Sequence, residues 1–136
     1  MARRSDQRRA AVFAVYQHDL TGRPLADTLE RDAPIFTRAL AHATEDYSED
    51  ADAIIARHAK GWTIDRIAPL EKAIMRVALT EILHPDAVPG DAPIPPEGAI
   101  EEAVKTAKTY AGAQAPKFVN GILAAALREM REDCTP

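Results

Sequence analysis

Histidines, a cysteine and paired carboxylates are the residues of this chain that could serve a catalytic or metal site. Four histidines lie in separate predicted elements, none with a partner at metal-ligand spacing: His18, His42, His58 and His84. Two carboxylate pairs lack the apolar surroundings that acid–base catalysis requires: Asp46 with Asp50, and Glu101 with Glu102. Cys134 has no neighbouring base, and the six glycines are isolated rather than grouped in a phosphate loop. We therefore predict a protein that is not an enzyme and that holds no metal ion or cofactor.

Arginines near the start of the chain are suited to a different chemistry, the binding of phosphate groups. Residues 1–10 carry a net charge of +3, although the whole chain carries −4. An acidic cluster lies further along, at Glu45, Asp46, Glu49, Asp50 and Asp52. A basic arm on an acidic body is frequent in proteins that bind a polyanion with one end. The alternative is that the arginines only keep the terminus soluble.

Length and composition limit the fold that must position these residues. The chain has 136 residues, of which 46% are hydrophobic and 28% charged, as expected for one globular domain over residues 1–136. A single cysteine favours a reducing compartment, and no apolar run approaches the roughly 18 residues of a membrane helix. No signal-peptide pattern is present. We therefore predict a full-length cytoplasmic protein without a membrane segment.

Apolar residues at helical spacing dominate the chain, and strand patterns are nearly absent. Gly22 and Gly61 are predicted to end helices, Ser48 to cap one, and Trp62 to be a buried anchor whose indole N–H meets a carbonyl. The pattern predicts an all-α domain of seven helices, at residues 4–20, 25–31, 34–44, 48–61, 69–84, 98–110 and 117–131.

Two segments of this pattern have particular features. In the helix predicted over residues 69–84, the charged residues fall largely outside a wide apolar stripe: Glu71, Lys72, Arg76 and Glu81. Residues 85–96 contain five prolines. They are therefore predicted to form a stiff surface loop within the single domain.

Three segments, taken together in their order and spacing, carry a recognisable pattern. The first reads Arg4-x-x-x-Arg8-Arg9-Ala-Ala-Val-x-Ala-Val-Tyr-Gln. The second spans residues 61–81 and begins Gly-Trp-Thr-Ile-Asp-Arg. The third joins residues 99–108 to Lys-Phe-Val-Asn-Gly at residues 117–121, which is the most specific of the three. Together they resemble the NusB family of transcription antitermination factors over nearly the whole chain.

The resemblance implies a seven-helix NusB-like bundle of two helical subdomains that share one core. It also implies binding to boxA, a single-stranded RNA element of ribosomal-RNA leader transcripts. The implied protein partner is NusE, which is ribosomal protein S-ten. The pair acts in the RNA polymerase antitermination complex and promotes read-through of terminators.

The same resemblance implies site residues. Those expected at the RNA are Arg4, Arg8, Arg9, Arg76, Lys117, Phe118 and Asn120, and those expected on the face that meets NusE are Tyr16 and Glu71. Arg4 and Arg8 are one helical turn apart, so both could follow one phosphate track. Phe118 could stack on a base while Lys117 meets a phosphate. The alternatives are that Phe118 and Tyr16 are core aromatics and that Asn120 only shapes the backbone.

Several positions depart from the family pattern. Ser5 and Asp6 thin the arginine cluster, Phe13 stands where glutamine is common, and Gln114 stands where an acidic residue is frequent. The proline-rich loop is also longer than usual. Two other functions stay open: a helical protein–protein interaction module or homodimer with little sequence-specific RNA binding, and an accessory domain of a ribosomal-RNA methyltransferase.

Overall fold

Helices form the secondary structure of the computed structural model, which describes residues 3–90 and 93–133. Within these ranges there are seven α-helices: α1 Arg4–Thr21, α2 Leu25–Thr28, α3 Ile35–Asp46, α4 Ser48–His58, α5 Pro69–Leu83, α6 Pro96–Tyr110 and α7 Ala115–Asp133. Short 3-10 turns at Ile64–Arg66 and Pro85–Ala87 precede and follow α5. The all-α prediction is confirmed. Cys134 lies outside the described residues.

The helix ends follow from local backbone chemistry. Gly22 ends α1 in the left-handed region at φ 74°, and its N–H donates to the His18 carbonyl at 3.0 Å. Pro69 occupies the first turn of α5, where its missing N–H costs no hydrogen bond. The predicted Ser48 cap is wrong, because Tyr47 precedes α4 and makes no side-chain cap bond. α4 also ends at His58, three residues before the predicted Gly61.

Helix α5 occupies the centre of the fold. It contacts five other helices, namely α1, α3, α4, α6 and α7. Every residue from Ala73 to Glu81 is buried. α1 packs with α2 and α3, whereas α7 packs with α4 and α6, so α5 joins two helical groups. The buried apolar side chains form one cluster, whose largest members include Leu40, Ile55, Ile74, Met75, Leu79 and Leu123.

Two charged residues of α5 are buried, although both lie outside its apolar stripe. Arg76 is 8% exposed and Glu81 is 5% exposed. Helices pack around α5 so closely that its charged face is also covered. Each charge is matched by an opposite charge from another helix, Asp52 for Arg76 and Arg8 for Glu81. Such pairing is what allows an ion to stay in a protein interior.

Trp62 is 52% exposed, so its prediction as a buried anchor is wrong. The chain leaves α4 at His58 and turns at Gly61, whose φ is 82°. The backbone N–H of Trp62, rather than its indole N–H, donates to the Ala59 carbonyl at 3.0 Å. The indole lies at the surface against Phe118.

Among the described helices, none is long and apolar enough to cross a membrane.

Candidate nucleic-acid interface

The N-terminal end of α1 presents two arginines around one aromatic ring. The guanidinium carbon of Arg4 lies 4.1 Å from the centroid of the Phe36 ring, and that of Arg8 lies 5.3 Å from it. Phe36 belongs to α3, which packs along α1. The one-turn spacing predicted from the sequence therefore does place Arg4 and Arg8 on a shared face.

Arg8 is committed to an internal partner on that face. Its Nε donates to Oε1 of Glu81 at 2.5 Å, and its Nη2 donates to Oε2 at 3.0 Å. Both side chains are buried, whereas Arg4 is exposed. The bidentate geometry fixes the guanidinium plane. Arg8 therefore joins α1 to α5 at the base of the basic surface that Arg4 continues into solvent.

Arg9 lies in a second cationic and aromatic cluster. Its guanidinium carbon is 5.4 Å from the ring centroid of Tyr110, and its Nη1 is 3.7 Å from Oδ1 of Asp6. Phe13 meets Tyr110 edge-to-face, with the centroids 5.0 Å apart. The Nε of Arg9 is buried and has no hydrogen-bond partner among the described residues. Arg9, Phe13 and Tyr110 are named here the α1–α6 cluster.

Sequence reasoning missed Tyr110 as a member of this surface. Tyr110 is the last residue of α6 and is 45% exposed. The apolar periodicity of α6 does not reveal that the end of this helix lies beside α1. The sequence did offer one signal. Phe13 stands where the NusB family commonly has glutamine, and an aromatic ring at that position needs an apolar neighbour such as Tyr110.

Arg76 lies within an ion-pair network that connects three helices. It donates to both oxygens of Asp52 in α4, at 2.7 and 2.8 Å, and its Nη1 lies 3.5 Å from Asp19 in α1. Lys72 lies 3.8 Å from the other Asp19 oxygen. Burial lowers the pKa of Arg76, but the hydrogen bonds and charge of Asp52 and Asp19 outweigh it and raise that pKa. The network stabilises Arg76 as a permanent cation.

The first turns of α7 carry the remaining residues expected at the RNA. Phe118 is half-buried against the core, and its ring edge meets Trp62 with the centroids 6.0 Å apart. Lys117 and Asn120 are exposed. Asn120 lines an open groove of about 570 Å³ between α6 and α7. Phe118 thus packs against the hydrophobic core and is also partly exposed at the surface.

The residues expected to meet NusE lie on two helices that pack together. Tyr16 of α1 is half-buried against the core. Glu71 of α5 is also half-buried, and burial raises the pKa of its carboxyl group. Leu20, one turn beyond Tyr16, is 56% exposed. The C-terminal end of α1 therefore presents an apolar side chain to solvent.

The proline-rich loop borders the basic end of α1. An open cleft of about 870 Å³ lies between them and is lined by Arg4, Ser5, Phe36, Pro89 and Ile94, among others. The Ser5 hydroxyl donates to Glu102 of α6 at 2.7 Å and fixes one wall. The loop therefore shapes the surroundings of the arginine face.

Relatives and solved structures share this arrangement of helices. A model of the NusB family matches residues 5–128. A transcription antitermination protein NusB from Symbiobacterium thermophilum is 38% identical over 105 residues, which cover 77% of this chain and 65% of that protein. The protein of the same name from Rubrobacter xylanophilus is 36% identical over 134 residues, covering 90% of this chain and 88% of that protein.

Two solved structures agree with the fold. NusB of T. maritima superimposes with a TM-score of 0.80 at 26% identity, covering 94% of this chain and 92% of that one. A chain from a structure of the antitermination factors NusB and NusE in complex with dsRNA superimposes with a TM-score of 0.76 at 25% identity, covering 93% and 96%. On its sequence and its fold, the chain belongs to the NusB family.

Proposed function

We propose that this chain is an RNA-binding transcription antitermination factor. It binds a boxA-like single strand of a ribosomal-RNA leader transcript together with NusE, and the pair promotes read-through by RNA polymerase. The observation that carries the proposal is the basic surface at the start of α1, where the exposed Arg4 lies over the buried Phe36 ring and Arg9 lies over the exposed Tyr110 ring. The solved structure of NusB and NusE in complex with dsRNA supports NusE and RNA as the partners.

Single-stranded RNA presents two features to a protein, a chain of phosphates and unstacked bases. The surface can bind both, because guanidinium groups bind phosphate and the exposed Tyr110 ring can accept a stacked base. In this proposal Arg4 and Arg9 bind phosphates, and Arg8, whose charge is matched by Glu81, holds α1 on α5 beneath them. Arg76, which is buried between two carboxylates, contributes mainly by holding α1 and α4 to α5.

The proposed RNA surface continues along α7 through Lys117, Phe118 and Asn120. The connection from Tyr110 to Ala115 is short, so the end of α6 and the start of α7 are neighbours in the chain. RNA that leaves the α1–α6 cluster can continue along α7, where Lys117 binds phosphate, Phe118 stacks and Asn120 reaches a base edge.

A fluorescence-anisotropy titration tests the RNA part of the proposal. Labelled boxA RNA and a scrambled strand are titrated with the chain, with and without NusE, at several salt concentrations. We expect tighter binding to boxA, which strengthens with NusE. Arg4→Ala and Arg9→Ala should each flatten the salt slope by about 0.7, the value for one phosphate of a single strand. Equal affinity for both RNAs in both conditions would contradict the proposal.

Arg23→Ala is the matched control for these arginine variants. Arg23 is exposed and follows α1, whose 18 residues span about 27 Å from the basic end. It carries the same charge as Arg4 but lies far from the proposed surface. Its removal should leave the salt slope unchanged. A slope that falls equally in all three variants would indicate a diffuse electrostatic effect instead of a site.

The NusE face is tested separately. Tyr16→Ala and Glu71→Gln should reduce the enhancement that NusE brings to boxA binding, while RNA affinity without NusE stays the same. Both residues lie on the packed α1 and α5 pair rather than at the arginines. Circular dichroism shows whether each variant keeps its helices. Unchanged enhancement in both folded variants would place NusE on another face.

A further inference from the structure

Trp62 is an exposed aromatic side chain held in a defined position. It follows Gly61, which adopts a positive φ of 82°, and its backbone N–H is bonded to Ala59. Its indole meets Phe118 at an interplanar angle of 68°, so the two rings do not cover each other's faces. At 52% exposure, much of the indole is open to solvent. Together with the half-buried Phe118 it forms an exposed aromatic pair, the kind of feature that binding surfaces use.

Three cationic residues are neighbours of this aromatic pair in the sequence. Lys60 and Arg66 flank Trp62 in the chain, and Lys117 immediately precedes Phe118. All three are exposed, and among residues 3–90 and 93–133 none of them forms an ion pair. By contrast, the exposed Arg57 and Arg131 are each matched by a carboxylate. Aromatic rings with unmatched cations are the combination that single-stranded nucleic acids require.

We propose that Trp62 and Phe118 together form a stacking surface for an unpaired RNA base, with Lys117 at the adjacent phosphate. The inference rests on the proposed function, because it assigns a further contact to the same RNA. It extends the RNA surface from α7 onto the connection between α4 and α5. A protein partner is the less suitable occupant, because the unmatched cations favour a polyanion over an apolar surface.

The test uses the fact that Trp62 is the only tryptophan in the chain. Unlabelled boxA RNA is titrated into the full chain while tryptophan emission is followed, and labelled RNA is followed by anisotropy in parallel. We expect quenching that saturates together with the anisotropy. Trp62→Ala should weaken RNA binding by roughly 5-fold or more, the lower end of what one base–aromatic stack contributes. Trp62→Phe should recover most of that loss.

Leu20→Ala provides the matched control. Leu20 is exposed to a similar degree, 56%, at the opposite end of α1 from the arginines, so its removal should leave RNA affinity unchanged. Thermal unfolding by circular dichroism establishes that Trp62→Ala is folded, as expected for an exposed side chain. A second variant, Lys117→Ala, should flatten the salt slope by about 0.7.

The outcomes separate this inference from the proposed function. RNA binding without quenching, together with unchanged affinity in Trp62→Ala, would overturn the stacking surface and leave the antitermination proposal standing. Emission that changes when NusE is added without RNA, and that RNA does not change further, would assign Trp62 to a protein contact and equally overturn it. Absence of any RNA binding would remove the proposed function, and the inference with it.

Discussion

Removing the Glu81 carboxylate should destabilise the protein by about 3–5 kcal/mol, because it leaves a buried Arg8 without its counter-charge. Arg8 is 9% exposed and Glu81 is 5% exposed, so neither group can recover its hydration by a small movement. The two hydrogen bonds between them, at 2.5 and 3.0 Å, are both lost in Glu81→Ala. Since a domain of this size is stable by about 5–15 kcal/mol, the variant loses a large fraction of its stability.

Removing both charges should be much less harmful. In Arg8→Met with Glu81→Leu, the buried space is filled by apolar side chains and no charge is left unpaired. Replacing a buried ion pair in this way is commonly neutral or even stabilising, so we expect the double variant within about 1 kcal/mol of the original chain or above it. The two mutations are then strongly non-additive, as expected for groups in direct contact.

Urea unfolding followed by far-ultraviolet circular dichroism measures these free energies. Glu101→Gln is the control, since Glu101 forms a surface pair with Lys105 at 3.3 Å on one helix. Exposed pairs of this kind contribute about 0.3–0.5 kcal/mol. The reasoning is refuted if Glu81→Ala costs no more than the control. It is also refuted if the double variant is as unstable as Glu81→Ala alone.

Three further predictions concern helix ends and ion pairs. The pKa of His18 is raised above 6.5, mainly by its hydrogen bond to the Arg23 carbonyl. Protonated His18 therefore stabilises the fold fully below pH 6.5, and this stabilisation is lost as pH rises through the folded-state pKa. His18→Gln should therefore lower the melting temperature at pH 5.5 more than at pH 8.5, and an equal loss at both would contradict this. Gly22→Ala should lower the free energy of unfolding in urea by about 1–2 kcal/mol, because alanine is strained at a φ of 74°. No atom lies within 4 Å of the added Cβ, so no clash adds to this cost. An unchanged free energy would show that the turn rearranges. Asp52→Ala should lower the free energy of unfolding by about 1–3 kcal/mol, because the buried Arg76 then keeps only its 3.5 Å contact with Asp19 of α1. An unchanged free energy would mean that the Asp19 contact suffices.

The local features of the fold could be predicted from the sequence because their causes are local. Apolar spacing determined where helices form, and Pro69 and Gly22 marked a helix start and a helix end through their own backbone preferences. The Lys-Phe-Val-Asn-Gly segment and its two companions were enough to indicate the NusB family. Errors at helix ends were small, as at α4, where Gly61 ends the following turn rather than the helix itself.

The partners of the charged and aromatic side chains were decided only by tertiary structure. Arg8 and Glu81 are 73 residues apart, and no periodic pattern reveals that packing α1 on α5 brings them within 2.5 Å. Helical periodicity describes one face of one helix, whereas burial depends on how many helices surround it. For that reason Glu81 is buried although it lies outside the apolar stripe, and Trp62 is exposed although indoles favour interiors. Apolar spacing thus determined the helices and the resemblance of three segments indicated the family, while packing decided which arginines are internal and which rings face solvent.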